Sequence, residues 1–390
     1  MIDPKQCTGC GACKFACPVG AIEMVGDAGG FRYPTVDREK CISCRLCDTV
    51  CEKANRPALS PAYKVFALKH KDETVRSRST SGGAFYLIAE TILKKGGVVY
   101  GVAFDRDWKV VHVRIDRPEE IARVQRSKYV QSDPGNAFAE VAEDLKNGRS
   151  VLFSGTACQC SGLRSFLEVR GIDTGKLFLC DLICHGVPSP KIWEEYVLFR
   201  KRKGDIKAVD FRNKDRSWRD FRMSISYPKK TRIYRQNEDY FMVLFFHNLI
   251  LREACYHCAY TKTERVSDFT LGDFWGIEDY YPAFSDDKGV SVLQINSEKG
   301  YGELKNELNE TDCIEVTVDQ VQSGQPNLVH PTKRNEKVDA FWRDYQDKGF
   351  RYVLKKYADR TVLGVIKRKY LFKFLYYTGI FKLLLKLKNK

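Results

Sequence analysis

The chain has 390 residues, 43% of them hydrophobic, enough for two or three domains and a sizeable core. Its net charge is +15, but eight basic residues and no acidic ones fall within residues 362–390, so much of the excess is local. No zinc finger, helix-turn-helix or RNA-binding signature accompanies the charge, which argues against a nucleic-acid partner. No run of 18 uncharged apolar residues is present to span a membrane.

Residues 1–60 read as a small metal module. Eight of the fifteen cysteines fall here, in two runs of the form C-x2-C-x2-C-x3-C, the second 34 residues after the first. This is the bacterial ferredoxin spacing for two [4Fe–4S] clusters, in which three close thiolates hold one cubane and the fourth ligates the other. One cluster is assigned to Cys7, Cys10, Cys13 and Cys51, and the other to Cys41, Cys44, Cys47 and Cys17. Pro18 follows its cysteine as the pattern expects; Glu52 replaces the second proline without removing a ligand. Zinc sites use one set of four ligands, usually as two separated pairs. Disulfides suit small secreted domains, and this sequence shows no signal peptide. Two clusters in a reducing, cytoplasmic setting are therefore expected. Between the runs, Ala21 to Val25 and Phe31 to Pro34 read as short strands, and a module this small is stabilised mainly by its metal.

After a linker at Arg56 to Pro61, residues 62–330 alternate strands and helices. Strands are predicted at 63–69, 98–104, 110–115, 150–154, 177–183, 269–274 and 290–296. Helices are predicted at 84–95, 137–146, from 157 through Leu167, at 190–200 and at 240–251. The alternation predicts a largely parallel sheet, and the aromatic runs within 205–235 predict antiparallel strands inserted on it. Residues 331–390 are expected to be helical. The fold class is thus α+β: a dicluster ferredoxin-like domain, an α/β domain and a helical basic tail.

A second set of cysteines lies in the α/β part. Cys158 and Cys184 each follow a predicted strand, and Cys255 and Cys258 form a C-x2-C. Carboxyl ends of neighbouring strands in an open sheet share one crevice. Four thiolates brought there suffice for a third [4Fe–4S] cluster; the competing reading is buried free thiols. Cys160, Cys180 and Cys313 read as core thiols.

At these residues the chain resembles the family of coenzyme F420 hydrogenase/dehydrogenase beta subunits. That family of iron–sulfur flavoproteins includes a chlorophyll-derivative reductase of plants and deazaflavin-oxidising subunits of methanogens. The matching stretches are Ser79 to Phe85, Gly97 to Phe104, Ser127 to Ser132, Gly155 to Gln159, Cys184 to Ser189, Cys255 to Cys258 and Leu271 to Gly276, in family order. Ala157 departs from the family's usual proline, and Cys160 is an additional thiol near a proposed ligand. The resemblance implies FAD, a third cluster on Cys158, Cys184, Cys255 and Cys258, and hydride exchange with a second substrate, coenzyme F420 or another small reducible metabolite.

For FAD, Ser81, Gly82 and Gly83 at a helix start offer backbone donors to phosphate. Lys128 suits a phosphate or the flavin N1–C2 carbonyl. Tyr129, Ser132, Thr156 and Gln159 suit the ring or ribityl chain, and Gly272, Asp273 and Trp275 the pocket wall. His185 and His257 neighbour proposed ligands, suiting cluster tuning or proton delivery; His185 and Lys128 are the catalytic candidates. The expected partners are ferredoxin or another electron carrier and a small hydride acceptor or donor. The expected function is a flavin and iron–sulfur oxidoreductase; its alternative is an electron-transfer subunit that docks to a separate catalytic partner. No G-x-G-x-x-G follows a strand, which argues against a Rossmann NAD site. The basic, aromatic stretch 362–390 resembles an interfacial helix, making peripheral contact with the inner membrane face an expectation; a docking helix is the alternative.

Overall fold

The computed structural model describes residues 2–309 and 311–358. The expected membrane-surface tail, 362–390, lies outside the described residues. The chain divides into two units, Met1–Arg235 with Ile250–Lys333, and Gln236–Leu249 with Arg334–Lys390.

In the first unit the cysteine runs fold around a hairpin, β1 (Ile22–Gly26) against antiparallel β2 (Arg32–Val36). Two short helices, Ala12–Ala16 and Leu46–Thr49, follow left-handed residues, Gly11 (φ 84°) and Arg45 (φ 59°). Each such residue turns the chain sharply between the second and third cysteine of its run.

The large sheet is built from β3 (Lys64–Lys69), β4 (Val98–Phe104), β5 (Val110–Ile115), β6 (Val151–Ser154) and β7 (Leu177–Leu182). Three strands, β8 (Ala208–Asn213), β9 (Arg222–Tyr227) and β10 (Lys230–Arg235), stand apart; the large sheet is completed by β11 (Phe269–Asp273), β12 (Ser291–Ile295) and β13 (Asp312–Glu315). Among the described residues its order is β13-β3-β12-β11-β7-β6-β4-β5. Only the centre is parallel, through β4/β6, β6/β7 and β7/β11. The flanks are antiparallel, through β4/β5, β11/β12, β12/β3 and β13/β3. The expectation of a largely parallel sheet is therefore corrected to a mixed one. The physical reason lies in the connections: a parallel return needs a long crossover, whereas β4 and β5 are joined by a tight turn closed by Asp105 N–H to Lys109 O at 2.9 Å. Strands β8 to β10 also differ from expectation, forming a three-stranded sheet of their own in the order β10-β9-β8.

Alternation along β4 sends Val99 into one hydrophobic core and Val98 and Tyr100 into another. The helix Ala84–Lys94 packs in the first. The helices Ala137–Lys146 and Ala157–Val169 pack in the second, which also takes in Ala12, Ala16 and Val50 of the cysteine module. Phe15 joins them, its ring 5.4 Å from Phe138 and 5.9 Å from Phe166. Full burial of a phenylalanine ring contributes about 1.5–3 kcal/mol and Phe15 is partly buried, so packing adds a share of that to what metal contributes. Gly162 permits the closest approach, since a Cβ there would lie 2.8 Å from both Cβ and Sγ of Cys10.

In the second unit the helix Tyr240–Phe246 is capped by Asp239, whose carboxylate accepts from Phe241 N–H at 2.9 Å. It is shorter than the predicted 240–251, because Asn248 takes a left-handed φ of 56° that ends it. The helix Val338–Tyr357 kinks at Gly349 (φ 76°).

Candidate iron–sulfur and cofactor site

The parallel centre of the sheet places the later cysteines. Strands β6 and β7 run side by side, with Ser154 opposite Cys180. Cys158 lies in the first turn of the helix after β6, and Cys184 two residues beyond β7. The segment carrying Cys255 and Cys258 is a 3-10 helix, Glu253–His257. Its approach is fixed by Arg252 N–H donating to Val187 O at 3.0 Å. Cys158, Cys184, Cys255 and Cys258 thereby line one cavity. Burial pushes the Cys158, Cys184 and Cys255 thiols up to about 12. Ligation needs thiolates, so loading this cavity releases protons. Cys160 belongs to the apolar core, its thiol directed at Cys180 O at 3.8 Å.

A second cavity is lined by Cys7, Cys10, Cys13 and Cys51, the four residues assigned to one cluster, together with Cys47. Burial pushes the Cys13 thiol up to about 12 and raises that of Cys10 as well. Of the other four module cysteines, Cys17 accepts from Ala21 N–H at 3.2 Å, Cys44 is exposed, and Cys41 and Cys47 are half-buried. Among the described residues no group of three His, Cys, Asp or Glu side chains is close enough to hold a single metal ion. A cubane asks for wider spacing, because each thiolate takes its own iron corner. Each cavity is lined by four of the thiols that such a cluster would need.

Thr8 lines both cavities, so one wall separates them. Of the residues that build it, the sequence reading noted Glu52 as a missing proline and passed over Tyr260 and Arg252. Glu52 is only 1% exposed and accepts from Thr8 Oγ1 at 2.9 Å and from the Tyr260 hydroxyl at 2.5 Å. Tyr260 N–H in turn points at Cys258 Sγ, 3.4 Å away. Arg252 is fully buried and donates to Cys7 O at 2.7 Å, Arg32 O at 2.9 Å and Gln131 Oε1 at 3.1 Å. Its guanidinium lies 4.2 Å from the Tyr33 ring centre, and a side chain on Gly9 would strike it. The signal available in the sequence was Glu52, a charged residue where the dicluster pattern has proline.

The residues expected to hold a flavin fall into two groups. Around Arg212 lie Tyr129, whose hydroxyl accepts from Nη1 at 3.1 Å, and Asp273, an ion-pair partner at 2.9 Å. Trp275 is 5.5 Å from the guanidinium and stacks on Trp218 at 4.3 Å. Trp218 donates to Asp273 Oδ1 at 3.1 Å. Lys214 reaches the Ser81 carbonyl at 3.0 Å, and burial and the nearby Arg76, Arg126 and Arg212 hold its ammonium down to about 8. Lys128 donates to Gln125 O at 2.5 Å; burial, opposed by Asp210 and aided by Arg126, holds it down to about 7. Arg212, Lys214 and Trp218 were not singled out from the sequence, since each reads there as an ordinary surface residue.

The second group lies beside Cys158. Gln159 Oε1 accepts from the Thr156 N–H and hydroxyl, both at 3.1 Å, and its amide donates to Ser132 Oγ at 3.0 Å. His185 Nδ1 is 3.2 Å from Asn327 Oδ1, and Asn327 lines the cavity. His257 is exposed. The glycines have packing roles. A Cβ on Gly82 would lie 2.0 Å from Leu68 O, and one on Gly272 would lie 2.6 Å from Ile183 Cδ1. Gly83 starts its helix at φ 102°, and the Ser81 hydroxyl donates to Val290 O at 2.7 Å.

A cysteine-walled dicluster module docked on a mixed α/β sheet defines an iron–sulfur redox protein. Residues 6–55 match a 4Fe-4S dicluster domain. Residues 65–138 and 148–320 match the N-terminal and C-terminal parts of the coenzyme F420 hydrogenase/dehydrogenase beta subunit. The chain belongs to that family, which corresponds to the resemblance read from its motifs. Its relatives include one of the subunits of the F(420)H(2) dehydrogenase of Methanosarcina mazei, 26% identical over 236 residues, covering 56% of this chain and 65% of the relative. The chain thus spans somewhat under two thirds of that relative's length. An uncharacterized ferredoxin of Methanocaldococcus jannaschii is 34% identical over 73 residues, 19% of this chain and 87% of the ferredoxin. A chain in the F420-reducing [NiFe] hydrogenase complex of Methanosarcina barkeri is similar with a TM-score of 0.49 at 16% identity, over 75% of this chain and 94% of that one. Among the described residues no helix is long and apolar enough to cross a membrane.

Proposed function

We propose that the chain is an iron–sulfur flavoprotein oxidoreductase that exchanges electrons between a ferredoxin-type carrier and a small hydride acceptor or donor, such as a deazaflavin. The observation that carries this reading is the cavity shared by Cys158, Cys184, Cys255 and Cys258, drawn from three separate segments and set one wall from the dicluster cavity. On this reading Cys7, Cys10, Cys13 and Cys51, then Cys17, Cys41, Cys44 and Cys47, then the four later cysteines would hold three [4Fe–4S] clusters. Bound FAD supplies the change from single electrons to a hydride. Lys128, Arg212 and Lys214 offer cationic donors to its phosphates or reduced ring, Tyr129 a hydroxyl, and Trp275 a flat wall. Gln159 and Thr156 sit beside Cys158, where they would orient a group bound next to that thiol. His185, next to Cys184 in the chain and 3.2 Å from Asn327, is the proton-handling candidate.

Anaerobic purification followed by iron, sulfide and flavin analysis tests the proposal. About twelve iron and one FAD per chain are expected. About eight iron and no flavin overturn it. A second reading, an electron-transfer subunit without its own substrate, is favoured by the similarity to a protein named as one part of a dehydrogenase. Oxidation of a reduced deazaflavin by the isolated, FAD-loaded chain supports the enzyme; its absence in a loaded chain supports the second reading.

A further inference from the structure

We propose that Glu52 sets the reduction potentials of two clusters at once, the one on Cys7, Cys10, Cys13 and Cys51 and the one on Cys158, Cys184, Cys255 and Cys258. This rests on the ligand assignment above and goes beyond it, since Glu52 is not a ligand. A carboxylate with 1% exposure needs partners, and Glu52 has two from opposite sides of the wall: the Thr8 hydroxyl at 2.9 Å and the Tyr260 hydroxyl at 2.5 Å. Thr8 follows Cys7 and borders both cavities. Tyr260 borders the later cavity and presents its N–H to Cys258 Sγ. Of the remaining module cysteines, Cys47 also lines the cavity on the Glu52 side, whereas Cys17, Cys41 and Cys44 line neither cavity.

A fixed negative charge in a low-dielectric wall opposes the addition of an electron to any cluster beside it, so it lowers the potential. Arg252 acts in the opposite sense across the same wall, its guanidinium on Cys7 O and its chain three residues before Cys255. Glu52 carries a charge where a proline at the same position would carry none. Its position next to Cys51 makes the cavity of Cys7, Cys10, Cys13 and Cys51 the nearer of the two.

Redox titration of the intact chain, followed by electron paramagnetic resonance, resolves the clusters. In E52Q two midpoints are expected to shift upward, while the midpoint of the cluster on Cys17, Cys41, Cys44 and Cys47, which meets that cavity only through Cys47, shifts less. Y260F keeps the carboxylate but removes a donor that partly neutralises it, so the same two midpoints are expected to shift downward. Opposite signs in the two variants mark electrostatics, because loosened packing has no reason to reverse sign. Unmoved midpoints in E52Q, or shifts of one sign in both variants, overturn the proposal. If E52Q fails to retain its iron, Y260F decides: a downward shift supports the role and an unmoved pair overturns it. Iron content keeps the two levels apart. A wild-type chain with about eight iron overturns the three-cluster assignment and this proposal with it, whereas about twelve iron with unmoved midpoints overturns only the role of Glu52.

Discussion

The two cysteine-rich regions gather their thiols by different routes. The module writes its site in local sequence: eight cysteines within 45 residues, at spacings that short left-handed turns convert directly into a shell. The later site has no local code. Its cysteines span 101 positions and meet only because β6 and β7 are parallel neighbours and Arg252 pins the third segment against Val187. The first site's small fold rests on metal together with the packing of Ala12, Phe15, Ala16 and Val50, while the later cysteines are positioned by the sheet itself.

The contrast is most exposed by removing one ligand from each. Cys13→Ala is expected to cost about four iron and to open residues 1–60 to protease, because metal binding is a large share of a small module's folding free energy. Cys255→Ala is expected to cost about four iron with the protease pattern unchanged. Limited proteolysis beside iron analysis checks both, and a sheet that unravels in Cys255→Ala breaks the comparison. Next in size is the joint between the regions. Arg252→Met leaves Cys7 O and Arg32 O without their donor and is expected to destabilise the first unit by about 3 kcal/mol, read from urea unfolding.

The smallest effect concerns Lys128, which lines neither cysteine cavity. Its folded-state value is held down to about 7, below the ordinary 10.5, chiefly by burial. Between these values the unfolded chain binds the extra proton, so this residue makes stability rise with pH from about 7 towards 10.5. Lys128→Met is expected to flatten that rise in the flavin-free chain, measured as the unfolding midpoint between pH 7 and 10. An unchanged slope would show that Lys128 is solvated. Bound phosphate should instead hold the ammonium charged, so FAD is expected to suppress the slope in the unaltered protein.

Much of the fold was legible. The predicted spans 98–104, 110–115 and 137–146 coincide with β4, β5 and a helix, because hydrophobic period and flanking glycines agree there. The parallel character was overstated, since alternation of strands and helices does not reveal which strands return by a tight turn. The three strands β8 to β10 read correctly as antiparallel, yet pair among themselves rather than on the main sheet.

The sequence by itself determined the dicluster module and the family, because both rest on short-range spacing and ordered motifs that survive without knowledge of contacts. Only the tertiary structure decided which distant side chains face one another. It joined Cys158, Cys184, Cys255 and Cys258 around one cavity and gathered Tyr129, Asp273 and Trp275 about Arg212. It also turned Glu52 from a missing proline into a buried carboxylate between two sets of thiols. The physical reason is that a ligand set or a buried charge is defined by through-space distance and desolvation, which the packing of distant segments creates.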